Sequence, residues 1–123
     1  MNLLVVEDDA AAQFALGELL GDLGAQVLVA GSGEDALRMV LKHQVAAILL
    51  DVRLPGMDGY EVAAAIRTLE RTRRIPIIFM SAEEDRRTQA RGGDEDLYLR
   101  KPLEPDVIRP TLAQLLKEAT RAS

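Results

Sequence analysis

The chain has 123 residues, with 20 Asp or Glu against 15 Lys or Arg, for a formal net charge of −5. That length makes one domain, residues 1–123, able to bury roughly two-thirds of its unfolded surface. With 48% hydrophobic residues it reads as globular, and its lack of Cys excludes disulfides, thiolate metal sites and thiol catalysis. Only four side chains are aromatic, too few for base- or flavin-stacking platforms, and an acidic chain is a poor nucleic-acid binder. No apolar run approaches the roughly 20 residues of a membrane span, and Met1–Val6 lacks the basic start of a signal peptide. The expectation is a cytoplasmic domain that touches neither nucleic acid nor membrane.

In chain order, Leu3–Val6 is an apolar strand that stops abruptly at Glu7-Asp8-Asp9. Leu16, Leu19, Leu20 and Leu23 recur at helical spacing, with Gly24 as the stop. Gln26–Ala30 is a second strand, and Ser32-Gly33-Glu34-Asp35 caps a helix reaching about Lys42. Val45–Leu50 is too short for a helix and continuous enough for a strand buried on both faces, and it ends at Asp51. Asp58 caps a helix from about Gly59 to Glu70, and Ile75–Met80 is a fourth strand with Pro76 near its start. A polar helix over about Glu83–Arg91, a strand at Leu97–Leu99 and an amphipathic helix over about Glu104–Ala119 complete the chain. Pro110 should bend or delay that last helix, and Ala119–Ser123 should fray.

Five strand–helix repeats predict an α/β fold: a flavodoxin-like, doubly wound, five-stranded parallel sheet of order 2-1-3-4-5 with five helices. In such a sheet ligands bind outside the carboxyl ends of the strands, where strand order reverses. Those ends carry Glu7-Asp8-Asp9, Asp51, Ser81-Ala82 and Lys101-Pro102. Each has an ordinary reading alone, as a helix cap, a turn residue or a solvated charge. Four on one edge are a poor coincidence. Clustered carboxylates repel unless a cation neutralises them, and an all-oxygen donor set selects a hard ion, Mg²⁺ with Mn²⁺ as a substitute. A hydroxyl and an ammonium suit a phosphoryl group, and a carboxylate can attack phosphorus to give an acyl phosphate. The chemistry points to phosphoryl transfer onto an Asp.

The stretches Leu3–Asp9, Ile48–Gly59 (with Asp51-Val52-Arg53-Leu54-Pro55-Gly56-Met57-Asp58-Gly59), Phe79–Ala82 and Tyr98–Pro102 resemble the receiver domain of two-component response regulators. The resemblance covers nearly the whole chain. It implies that Asp51 is the phosphoacceptor and that Asp8, Glu7, Asp51 and the Arg53 backbone carbonyl serve the metal. It further implies that Ser81, Ala82 and Lys101 surround the phosphoryl group and that Lys101–Pro102 is a cis peptide. Ser81 and Tyr98 would form a switch. The implied donor is a sensor histidine kinase or phosphotransfer protein. An output partner or domain would read the face formed by the fourth helix, fifth strand and fifth helix, with the chain a monomer or a phosphorylation-dependent dimer. Asp9 should cap the first helix.

The segment 83–96 is about two residues short for this family, Gly92–Leu97 replaces its usual run before Tyr98, and Leu103 stands where Phe is common. These departures fall on the output face, not on the acidic site. Two other functions stay open: a receiver-like scaffold that works without phosphorylation, and a Mg²⁺-dependent phosphatase of the haloacid-dehalogenase type. The second wants an acid two residues after its nucleophile, where this chain has Arg53. His43, Gly31-Ser32-Gly33 and the arginines at 71–74 and 86–91 have sufficient explanations as helix end, turn and solvated surface.

Overall fold

A computed structural model describes residues 1–82 and 97–122. Its five strands are β1 (Asn2–Val6), β2 (Gln26–Ala30), β3 (Val45–Asp51), β4 (Ile77–Ser81) and β5 (Leu97–Arg100). Four helices lie among the described residues: α1 (Ala10–Leu20), α2 (Gly33–Lys42), α3 (Gly59–Thr68) and α4 (Pro105–Ala122). The sheet is parallel throughout, in the order β2-β1-β3-β4-β5. This is the predicted flavodoxin-like topology; the helix expected over about 83–91 lies outside the described residues.

Alternation along the strands divides the core in two. Leu4, Val6, Ile48, Leu50 and Phe79 face the side covered by α2 and α3, with Val40, Val62 and Ile66 above them. Leu3, Val5, Leu49, Ile78 and Met80 face the opposite side, under Leu16 and Leu20 of α1 and Ile108 and Leu112 of α4. All of these strand residues are essentially inaccessible, and burying each aliphatic side chain contributes about 1.5–3 kcal/mol. Two-sided burial is why the strands read as unbroken apolar runs rather than alternating ones.

Element ends follow local chemistry. Asp9 caps α1 by accepting the Ala12 N–H at 2.8 Å, as expected, and Ser32 caps α2 through Asp35 N–H at 3.1 Å. Asp58 and Glu61 close a reciprocal capping box on α3. Helix α1 ends at Leu20, earlier than the Gly24 stop: Gly21 already closes it, and Gly24, at φ +81°, turns the chain into β2. Strand β4 begins at Ile77 rather than Ile75, since Pro76 cannot donate to the ladder. Helix α4 continues through Pro110 to Ala122. Pro110 is exposed, so water can take the carbonyl bond that its ring nitrogen cannot make.

Candidate functional site

At the carboxyl edge of the sheet, β1 delivers Glu7 and Asp8. The Glu7 N–H donates to the Ala30 carbonyl at 3.0 Å, extending the β1–β2 pairing by one residue. The Glu7 side chain turns inward, 2% exposed, and its Oε2 accepts the Asp9 N–H at 3.1 Å. The Glu7 carbonyl accepts the Gln13 side-chain amide at 2.7 Å. Asp8 is exposed.

Next to β1 in the sheet, β3 ends in Asp51, which is 4% exposed. The chain leaving it is held on both sides: Val52 N–H donates to the Met80 carbonyl and Gly59 N–H to the Val52 carbonyl, each at 3.0 Å. The start of α3 therefore presses directly on the phosphoacceptor candidate. A Cβ on Gly59 would lie 2.4 Å from the Asp51 carbonyl oxygen and 2.7 Å from Val52 Cα, so only glycine fits. Between them, the Pro55-Gly56 turn places Gly56 at φ +73°, again a glycine conformation. The Arg53 N–H donates to Asp51 Oδ1 at 2.9 Å.

From β5, Lys101 reaches back to both acids. Its Nζ lies 2.8 Å from Asp51 Oδ2 and 3.2 Å from Glu7 Oε1. Its backbone N–H donates to the Ser81 carbonyl at 2.8 Å, and the Lys101–Pro102 peptide is cis. Ser81, buried at the end of β4, sits opposite Arg100, while Ala82 is exposed. Tyr98 is half-buried and stacks on Phe79, with ring centroids 5.1 Å apart. Phe79 in turn meets Tyr60 of α3, also at 5.1 Å.

Carboxylate oxygens of Glu7, Asp8 and Asp51 lie within 4.8 Å of one another. Burial pushes the Glu7 carboxyl above its ordinary value, and the charge of Asp51 pushes it further; the Asp9 N–H and the Lys101 ammonium act against this without cancelling it. For Lys101, burial alone would lower the ammonium's pKa. The hydrogen bond and charge of Asp51, with those of Glu7, outweigh burial and raise it. One ammonium thus serves two buried acids and leaves Asp8 without it. Three hard oxygen donors with an excess of negative charge are the donor set a small divalent cation requires.

Every residue singled out from the sequence lies in β1, β3, β4, β5 or the turns that follow them. Glu7, Asp8, Asp51 and Lys101 converge on one cluster; Tyr98 faces the α2–α3 side of the core instead. Sequence reasoning missed Gln13, which reaches the site only through the fold, and the role of Gly59, whose signal was its place directly after the Asp58 cap.

The family profile of the response regulator receiver domain matches residues 3–113. The transcriptional regulatory protein AfsQ1 of Streptomyces coelicolor is 37% identical over 124 residues, which are 99% of this chain and 54% of that protein. The sensor histidine kinase RcsC of Escherichia coli is 39% identical over 127 residues, 100% of this chain but 13% of that protein. The chain therefore spans about half of one of these relatives and a small part of the other. Among solved structures, the receiver domain of sensor histidine kinase PA1611 from Pseudomonas aeruginosa, with magnesium coordinated in its active-site cleft, superposes with a TM-score of 0.84. It shares 30% identity and covers 94% of this chain and 97% of that one. The chain belongs to the response regulator receiver domain family, the phosphoacceptor domains of two-component signalling.

Proposed function

We propose that Asp51 is the residue that takes the phosphoryl group, from a phosphohistidine of a sensor histidine kinase or phosphotransfer protein. The observation that carries this reading is the pairing of Asp51 Oδ2 with Lys101 Nζ at 2.8 Å, beside two further carboxylates within 4.8 Å. In the transfer, an Asp51 oxygen forms a bond to phosphorus as the phosphorus–nitrogen bond of the donor breaks, and the released electron pair stays on the imidazole nitrogen, which takes a proton. The Arg53 N–H holds Oδ1 in place, leaving Oδ2 to attack. Lys101 then moves its charge from the carboxylate to the new phosphoryl oxygens. Ser81 gives its hydroxyl to the phosphoryl group, and Ala82 is small enough to leave room for it.

Glu7, Asp8 and Asp51, with the Arg53 carbonyl, would hold Mg²⁺ or Mn²⁺. When bound, the ion supplies charge neutralisation between the acids and the incoming phosphoryl oxygens. The phosphorylated state is then read through Ser81 and Tyr98 at the surface of β5 and α4, where an output partner or domain docks; the rest of the expected output face lies outside the described residues. Among the described residues no helix is long and apolar enough to cross a membrane.

The test is intact mass after incubation with an acyl-phosphate donor and Mg²⁺. A single phosphate-sized gain, labile to hydroxylamine and absent in Asp51→Asn, supports the reading. No gain in the wild-type chain with any donor sinks it.

A further inference from the structure

We propose that Gln13 is a positioning residue for the metal, acting through the Glu7 backbone; the inference rests on the reading of Glu7, Asp8 and Asp51 as a cation site. Strand pairing ends just before the acids. The last β1–β3 pair is Val6 with Leu50, and the last β1–β2 bond is the one Glu7 N–H gives to Ala30. The Glu7 carbonyl, one atom group further on, is beyond both ladders. Its acceptor capacity is met by the side-chain amide of Gln13, at 2.7 Å. That bond decides the orientation of the peptide plane between Glu7 and Asp8.

The orientation matters because the Asp8 side chain is not itself held. Its carboxylate makes no hydrogen bond or ion pair among the described residues, so its place relative to Glu7 and Asp51 is set by its backbone. Glu7 itself is tied down on its other side, where Oε2 accepts the Asp9 N–H at 3.1 Å. Gln13 stands in the first turns of α1, which Asp9 caps, and its own N–H donates to the Asp9 carbonyl at 2.9 Å. Gln13 Nε2 also lies 3.8 Å from the position a Cβ on Gly31 would take, so the amide packs between the loops that follow β1 and β2. It is half-buried there. Its contact with the site is one step removed from the ligands, the arrangement in which an outer hydrogen bond tunes metal affinity without touching the ion.

The decisive variant is Gln13→Met, which keeps the length and neutrality of the side chain and removes the donor; Gln13→Ala serves where the thioether packs badly. Titration of each with Mg²⁺ by calorimetry, beside wild type and Asp8→Asn, gives the affinity. Thermal unfolding without Mg²⁺ reports on the fold. We expect roughly a tenfold loss of Mg²⁺ affinity, the lower end of what outer-shell changes produce, with the metal-free unfolding midpoint close to wild type. Phosphorylation by an acyl-phosphate donor should show a matching rise in the Mg²⁺ concentration for half-maximal rate and an unchanged rate at saturation. Unchanged affinity in both variants overturns the inference while leaving the metal reading intact. Affinity lost only together with the fold overturns it in favour of a packing role. A wild-type chain that does not bind Mg²⁺ overturns the metal reading, and this inference with it.

Discussion

At the scale of single residues, the site depends on atoms that are absent as much as on those present. Gly59 is the clearest case, because a Cβ there would collide with the Asp51 carbonyl oxygen and Val52 Cα, both backbone, neither able to rotate aside. Gly59→Ala must therefore push α3 away from β3 or displace the Asp51 backbone. Overpacking of this kind costs about 1–3 kcal/mol, to be measured by urea unfolding. Because the strain lands on Asp51, the acyl-phosphate reaction should also slow more than it does in an equally destabilised core variant such as Ile66→Val. An equal slowing would mean that the glycine serves stability alone. The charged members of the site were readable from sequence because each stands at or just past the end of a strand, where the topology needs no further information to bring them together. Gln13 and Gly59 were not so readable. An amide six residues from its acceptor and a missing methyl group have no periodic signal; both acquire meaning only when α1 and α3 are laid against particular strand ends.

At the scale of elements, three of the four aromatic rings form one column across three elements: Tyr60 of α3, Phe79 of β4 and Tyr98 of β5. Phe79 and Tyr98 are register partners in the sheet, so the outer ring cannot move without changing its contact with the middle one. Tyr60 follows immediately after Gly59, which bonds to the residue next to Asp51. Helix α3 thus connects the proposed acceptor to the ring column without passing through Ser81. The chain has two tyrosines and no tryptophan, so its tyrosine emission comes entirely from this column. Phosphorylation should change that emission in the wild-type chain. Tyr60→Leu should lower stability by about 1–2 kcal/mol, the scale of an aromatic contact plus lost area, and should reduce the emission change at Tyr98. An undiminished change in that variant would uncouple α3 from the switch. The element pattern itself was largely legible, since buried parallel strands and capped helices both leave strong local marks. The errors fell at ends, where Gly21 stops α1 ahead of Gly24 and Pro76 delays the start of β4.

At the scale of the whole molecule, residues 1–61 hold ten acids against three bases and residues 62–123 ten acids against twelve bases; the two halves pair at Arg109 with Asp22 and at the site, where Lys101 answers Glu7 and Asp51. The balance is incomplete, and its sign can be worked out from Glu7. Its carboxyl is raised in the folded state above the ordinary 4.5, chiefly by burial. The metal-free fold therefore binds that proton more tightly than the unfolded chain does. The stability this contributes is complete below the ordinary value and is lost as pH rises through the raised one. Lys101, also raised, keeps its own contribution up to its ordinary 10.5 and loses it only above that, so it cannot compensate Glu7 selectively near neutrality. In the proposed metal site, a bound Mg²⁺ would reverse the sign for Glu7: a coordinated carboxylate has its pKa depressed, and its contribution is then present at high pH and lost as pH falls. At a Mg²⁺ concentration of about 100 times the dissociation constant, the fold gains about 2.7 kcal/mol, which raises the unfolding midpoint by several degrees for a chain of this size. That increment should be largest at neutral pH and shrink steadily on acidification to about pH 5, as protons displace the cation from Glu7. Thermal unfolding with and without Mg²⁺ across this range measures it directly, with Glu7→Gln as the control in which the pH dependence of the increment flattens. An increment that stays constant with pH in the wild-type chain would remove Glu7 from the metal site and leave the cation to Asp8 and Asp51.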